Sequence, residues 1–198
     1  MKTLSLRILA VVALSLAGLA AFAGSPRSGA TASLDVAALA HDVQTEADHV
    51  TAVELARWIR DRKPALRVID IRDSAEFDEY HIPRAERLPI EAVVKTSFKP
   101  GETIVLYSGG GAHAAQAWVL LKARGEKDVF FLRGGVAEWL DEVMNARIPA
   151  NATGEAREEA DSVAALSRYF GGVPRQVDSV VPIQSFKAMT ARVRGRGC

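Results

Sequence analysis

The chain reads as an α/β domain: a parallel sheet with helices on both faces. Three features of the sequence point there. Apolar runs of strand length, Leu66–Ile71, Ile104–Tyr107 and Asp128–Leu132, alternate with segments of helical pattern, and such alternation builds βαβ crossovers. Glycine clusters, Gly109-Gly110-Gly111 and Gly134-Gly135, stand where a strand hands over to a helix. The chain is 48% hydrophobic and has one cysteine, Cys198, so its stability must rest on an apolar core rather than on internal disulfides.

Residues 1–23 have the pattern of a signal peptide. Lys2 and Arg7 give a positive start, Ile8 to Phe22 is apolar and uncharged, and Ala21-Phe22-Ala23 is a small-x-small cleavage site before Gly24. The apolar stretch falls short of the roughly 20 residues of a membrane span. Export to the periplasm or secretion is expected, with an uncleaved N-terminal anchor as the alternative. No cysteine lies near the cleavage point for lipid attachment.

Residues 24–48, rich in Ala, Ser and Gly, are expected to form a linker with one helical turn. The domain proper is expected over 49–149. Thr51-Ala52-Val53-Glu54 fits a capping box, and the helix it opens sets Val53, Ala56 and Ile59 near one face before Pro64 closes it. Leu66–Ile71 is the first strong strand. Asp73–Glu79 is a short helical turn with Phe77 inward. Pro83 and Pro89 punctuate the next connection, and Glu91–Thr96 is a second short helix.

After the turn signal Lys99-Pro100-Gly101-Glu102 come the central strand, the glycine loop and a helix, Ala114–Arg124, with Ala117, Trp118, Leu120 and Leu121 as core. A third strand, Asp128–Leu132, leads through Gly134-Gly135 to a helix bearing Trp139, Leu140 and Val143. Residues 150–198 form a C-terminal helical extension. Glu155–Phe170 is a helix with Ala160, Val163, Ala164 and Leu166 on one side and a Gly171-Gly172 stop. The chain is then extended through Val180-Val181-Pro182-Ile183, helical over 185–193, and basic at its end.

Charge is nearly balanced, 25 Lys+Arg against 24 Asp+Glu, which argues against general nucleic-acid or membrane-surface binding. The exception is the tail Arg192-Val193-Arg194-Gly195-Arg196-Gly197-Cys198.

The most informative run is Ile104-Val105-Leu106-Tyr107-Ser108-Gly109-Gly110-Gly111-Ala112-His113-Ala114. A strand that feeds a tight loop and then a helix N-terminus gathers backbone N–H groups into an anion cradle, and the helix dipole adds partial positive charge. The expected anion-binding loop is Ser108, Gly109, Gly110, Gly111, Ala112 and His113, with Ser108 where a nucleophile would sit. The alternative is that the glycines only make a tight turn. No Gly-Lys-Ser/Thr follows, so this is not a Walker loop.

Four blocks in order carry a resemblance. They are Val68-Ile69-Asp70-Ile71-Arg72-Asp73 followed by Glu76-Phe77; His81-Ile82-Pro83-Arg84-Ala85; the loop above; and Gly134-Gly135-Val136-Ala137-Glu138-Trp139. Residues 49–149 resemble the rhodanese-like domain family. That family reads Asp-x-Arg, Glu-Phe, Gly-His-Ile-Pro-Gly-Ala, a loop Cys-x-x-Gly-x-Arg-Ser and a closing Gly-Gly-x-x-x-Trp. The resemblance implies a three-layer, mostly parallel sheet of about five strands, with ligand at the carboxyl ends of the strands. It also implies that Asp70 and Arg72 support the loop. The departures fall on the chemistry: Ser108 stands at the family's cysteine, His113 at its loop arginine and Ala114 at its loop serine. Tyr80 and Arg84 replace two glycines.

A rhodanese carries sulfur as a persulfide on its loop thiolate, which cradle N–H groups and a cation make acidic. A serine hydroxyl cannot form a persulfide. The resemblance therefore implies a degenerate sulfurtransferase site: a non-catalytic module binding a small oxyanion or a partner protein, with no cofactor and no metal. The alternative is a sulfurtransferase that uses Cys198, flanked by Arg192, Arg194 and Arg196, as sulfur carrier or mixed-disulfide site. A serine-hydrolase pair Ser108–His113 is disfavoured, because the nucleophile elbow needs glycine where Leu106 stands. His81, Trp118 and Trp139 read as packing residues. His41, Glu46 and His49 match no strong metal spacing, and Asn151-Ala152-Thr153 is a glycosylation acceptor only in a eukaryotic secretory route.

Overall fold

Strand-forming runs bounded by turn residues account for the sheet. In the computed structural model, which describes residues 11–15, 18 and 35–178, five short strands lie parallel. They are β1 (His49–Val50), β2 (Leu66–Asp70), β3 (Ala85–Arg87), β4 (Thr103–Tyr107) and β5 (Val129–Leu132). Their order is β1-β5-β4-β2-β3. The register pairs Asp70 with Tyr107 and Leu106 with Phe131, so β2, β4 and β5 end at one edge.

Both faces of β4 are covered, which explains why it reads as a continuous apolar run rather than an alternation. Val105 and Tyr107 join Val68, Leu132, Leu55, Ile59, Trp139 and Val143 in one core cluster. Ile104 and Leu106 join Ile69, Ala114, Ala117, Trp118 and Leu121 in the other. The first face is covered by α2 (Ala52–Arg60) and by α6 (Gly135–Trp139), which widens into a π-helical turn over Leu140–Met144. The second face is covered by α4 (Ile90–Val93) and α5 (Ala112–Ala123). α3 (Ser74–Glu79) connects β2 to β3.

The capping box forms as its spacing predicts. Thr51 Oγ1 accepts from the Glu54 N–H at 3.2 Å, and Glu54 Oε2 accepts from the Thr51 N–H at 2.9 Å. That backbone bond holds the Glu54 carboxyl below its ordinary pKa. The buried face of α2 is Ala52, Leu55, Ala56 and Ile59; Val53 is only half-buried.

Some boundaries and faces differ from expectation. The single turn expected between residues 24 and 48 is a nine-residue helix, α1 (Val36–Gln44), capped by Asp35. Leu39 packs on the second cluster, and Asp42 pairs with Lys122 at 3.0 Å. α5 starts two residues earlier than expected, and Leu120 is 47% exposed rather than core. The Glu91–Thr96 helix is the shorter Ile90–Val93.

In the extension, α7 (Glu155–Tyr169) buries Ala160 and Ala164 against Ala146 and Ile148. β6 (Arg147–Pro149) and β7 (Arg175–Val177) pair in parallel as a separate two-stranded sheet. Residues 11–15, which belong to a unit separate from the rest of the chain, are helical. No helix among the described residues is long and apolar enough to cross a membrane. The cleavage site, the expected elements at 180–193 and the basic tail with Cys198 lie outside the described residues.

Candidate functional site

The glycine loop leaves the sheet at its carboxyl edge, directly after β4. Its carbonyls are drawn to one side: the Val136 N–H donates to the Ser108 carbonyl at 2.9 Å and the Ala137 N–H to the Gly109 carbonyl at 3.1 Å. The first turn of α6 thus gives its orphan N–H groups to the loop. This packing demands Gly135. Its φ is +60°, and a Cβ there would lie 2.1 Å from the Ser108 carbonyl oxygen. Gly111, with φ +88°, opens α5 in the left-handed conformation, and a Cβ there would come within 3.0 Å of the Gly134 nitrogen.

With the Ser108 and Gly109 carbonyls engaged by α6, the N–H groups of Gly111 and Ala114 turn to the Ser108 side chain. That residue is 3% exposed: it forms the floor of the loop and not its mouth. Its Oγ accepts from the N–H of Gly111 at 3.1 Å and of Ala114 at 3.4 Å. The hydroxyl oxygen therefore takes up two of the loop's N–H groups. Among the described residues, the N–H groups of Gly109, Gly110, Ala112 and His113 bond to no protein acceptor. His113 is exposed, and no hydrogen bond joins its ring to Ser108 Oγ, so a Ser108–His113 catalytic pair is not assembled.

Asp70 and Arg72 follow from the end of β2 at the same edge. Asp70 is fully buried, and its carboxylate accepts from Arg72 Nη2 at 2.7 Å, Arg72 Nε at 3.0 Å and the Arg72 N–H at 2.9 Å. The pairing raises the Arg72 pKa further. Arg72 Nη2 also donates to the Tyr80 carbonyl at 2.6 Å. The pair thus ties the chain before β3 to the end of β2, and none of these bonds runs to residues 108–113. Tyr107 OH accepts from the Ile82 N–H at 3.1 Å; burial pushes its phenol pKa up, and the Asp70 carboxylate adds to the shift. Tyr80, at one of the family's glycine positions, accepts at its hydroxyl from Trp139 Nε1 at 2.7 Å.

Ile71, Arg72, Asp73, Glu76, Ser108, Gly109, Gly110 and His113 line a cavity of about 410 Å³ over the loop. The sequence pattern alone does not mark Asp73 and Glu76 for this role. Asp73 caps α3 by accepting from the Glu76 N–H at 2.8 Å, and that capping pattern was the signal that brings both carboxylates to the edge. Because Arg72 is already matched by Asp70, Asp73 and Glu76 give the cavity wall an excess of acidic side chains.

The remaining residues are dispersed. His81 is exposed, with its ring stacked on Phe77 at 4.1 Å and its Nδ1 2.9 Å from the Phe77 carbonyl. Trp118 is buried and donates to the Val129 carbonyl at 2.8 Å; Trp139 is fully buried. His49 pairs with Asp48 at 2.8 Å. No group of three His, Cys, Asp or Glu residues that could hold a metal occurs among the described residues.

A family model described as the rhodanese-like domain matches residues 51–142. Among curated proteins, "Probable adenylyltransferase/sulfurtransferase MoeZ" of Mycobacterium tuberculosis is 32% identical over 104 residues, 48% of this chain. The chain spans about a quarter of that relative's length. Solved structures with similarity include the rhodanese-like domain of the Anabaena sp. Alr3790 protein. It is 30% identical, covers 48% of this chain and 74% of that one, and has a TM-score of 0.44. A rhodanese-like domain protein from Staphylococcus aureus is 26% identical, covers 46% and 90%, and has a TM-score of 0.42. The matched family model spans β2 to β5, the glycine loop between β4 and α5, and the Gly134-Gly135 turn that packs on it; residues 51–142 of this chain are a rhodanese-like domain.

Proposed function

We propose that this chain is an exported, non-catalytic rhodanese-like module whose loop recognises a partner protein. The observation that carries the reading is Ser108 Oγ held at the loop floor by the N–H groups of Gly111 and Ala114. An oxygen there cannot accept a sulfane sulfur, and it uses two of the N–H groups that would make a thiolate acidic in a sulfurtransferase.

The cavity wall favours a partner over a free oxyanion. Asp73 and Glu76 repel a small dianion, and the Arg72 guanidinium that lines the cavity is matched by Asp70. A protein segment meets both halves of the site. Its carbonyl or amide oxygen accepts from the free N–H groups of Gly109, Gly110, Ala112 and His113, and a neighbouring lysine or arginine faces the two carboxylates.

A thiosulfate:cyanide assay on the full chain and on Cys198→Ser tests the chemistry. The expected result is no thiocyanate from either. Turnover by both overturns the reading; turnover by the unaltered chain alone establishes Cys198 as the sulfur carrier in its place. Saturable binding of thiosulfate, sulfate or phosphate at the loop, read from amide shifts of Gly109 and Gly110, would return the site to a small anion. Export rests on the pattern of residues 1–23. N-terminal sequencing of the mature protein is expected to start at Gly24, and a cytoplasmic chain retaining its first 23 residues overturns it.

A further inference from the structure

A second cavity, about 540 Å³, opens at the other edge of the sheet, where strands begin, and is lined by Ile59, Arg62, Pro83, Arg84, Tyr169 and Phe170. Ile59 and Arg62 stand at the end of α2, ahead of β2; Pro83 and Arg84 stand just ahead of β3.

Both arginines occupy backbone positions that favour glycine. α2 ends in a Schellman motif: the Arg62 N–H donates to the Ile59 carbonyl at 3.2 Å and the Lys63 N–H to the Trp58 carbonyl at 2.9 Å. The left-handed residue of that motif is Arg62, with φ +53°. Arg84, with φ +69°, is the third residue of a turn closed by the Ala85 N–H on the Ile82 carbonyl at 3.0 Å, with Pro83 second. That is the place a type II turn reserves for glycine. The fold has the glycine solution at hand: α7 ends in the same Schellman motif on Gly171, with φ +81°.

Left-handed non-glycine backbone also occurs at Glu46 and Ala65; what sets Arg62 and Arg84 apart is that both line one cavity. Neither Arg62 nor Arg84 has a carboxylate within ion-pair distance among the described residues, whereas Arg57, Arg60 and Arg67 each do. The nearby acid, Asp61, is engaged by Arg60 at 2.8 Å. The same cavity has an aromatic wall. Tyr169 is 58% exposed, its ring set edge-on to Phe170 at 4.9 Å, and Phe170 is anchored on Trp139 at 5.1 Å.

We propose that this cavity is a binding site for a nucleoside phosphate, with the phosphate on Arg62 and Arg84 and the base against Tyr169. Guanidinium forks match phosphate oxygens, and an exposed ring anchored from behind is a stacking surface for a base. The volume lies in the range of small-molecule sites. A bare anion would leave the apolar wall of Ile59, Pro83 and Phe170 wet; an uncharged ring would leave both guanidiniums without a counter-charge.

Titration calorimetry of the full chain with AMP, adenosine and inorganic phosphate tests this. AMP is expected to bind saturably and at least about tenfold tighter than either fragment. Arg62→Gly and Arg84→Gly, which suit the backbone and keep the fold, are each expected to weaken AMP about tenfold. Tyr169→Leu is expected to weaken AMP and leave phosphate unchanged. No saturation by about 10 mM AMP, equal affinity for AMP and phosphate, or AMP binding unchanged in Arg84→Gly overturns the proposal.

Discussion

At the carboxyl edge of the sheet the left-handed positions are glycines, Gly111, Gly134 and Gly135; at the opposite edge two of them, at 62 and 84, are arginines. At the first edge the glycines are demanded by contact. A Cβ on Gly134 would meet the Glu138 side chain at 2.0 Å, and one on Gly135 the Ser108 carbonyl at 2.1 Å. Buried charge there is matched, Asp70 against Arg72. At the second edge two long side chains sit in an unfavourable backbone conformation, and among the described residues neither Arg62 nor Arg84 has a carboxylate within ion-pair distance. The difference separates two causes of unusual residues. Tight packing selects glycine for stability, whereas Arg62 and Arg84 hold the same conformation at a cost.

The comparison breaks most visibly at the carboxyl edge. Asp70→Ala leaves the Arg72 guanidinium buried without its carboxylate and is expected to lower the unfolding free energy by about 3–5 kcal/mol in urea titrations. Gly135→Ala, which drives a methyl into the loop carbonyls, is expected to cost about 3 kcal/mol by the same measurement. A loss under about 1 kcal/mol would mean the two glycine turns can part. Ser108→Ala removes the acceptor from two buried N–H groups and is expected to cost about 1–2 kcal/mol.

The opposite sign is expected at the other edge. Arg84→Gly should stabilise the chain by about 0.5–1 kcal/mol, because relief of the left-handed strain outweighs the added freedom of the unfolded glycine. Destabilisation by Arg84→Gly would erase the contrast between the edges.

The smallest effect concerns Glu142, in the wide turn after α6. Burial, then the charge of Glu138, raises its pKa above the ordinary carboxylate value. The folded chain therefore holds this proton more tightly than the unfolded one. Stability from this group is complete at acid pH and is lost as pH rises through the raised pKa. Glu142→Gln is expected to flatten that loss and to raise Tm by about 1–2 °C at pH 7, read from thermal melts across the acid range.

Local pattern made much of this legible. The Thr51 and Glu54 capping box, the apolar run at Ile104–Tyr107 and the glycine stop after α7 are each set by neighbours in sequence, and each forms as read. Leu120 reads as core because α5 is apolar around most of its surface, so periodicity does not select a face; the sheet buries Ala117, Trp118 and Leu121 and leaves Leu120 to solvent. β1 has two residues and shows no pattern. β6 and β7 are short and begin on Arg147 and Arg175, so their pairing reads as loop until the extension folds back.

By itself, the sequence determined the layered α/β plan, the loop between β4 and α5, and the presence of oxygen instead of sulfur at position 108. Those follow from side-chain size, polarity and backbone preference within a few residues. The tertiary structure alone decided that Ser108 is floor rather than mouth, that Arg72 is spent on Asp70, and that Arg62, Arg84 and Tyr169 share one cavity. Burial and charge pairing depend on what distant segments bring alongside, and no local pattern encodes which partner arrives.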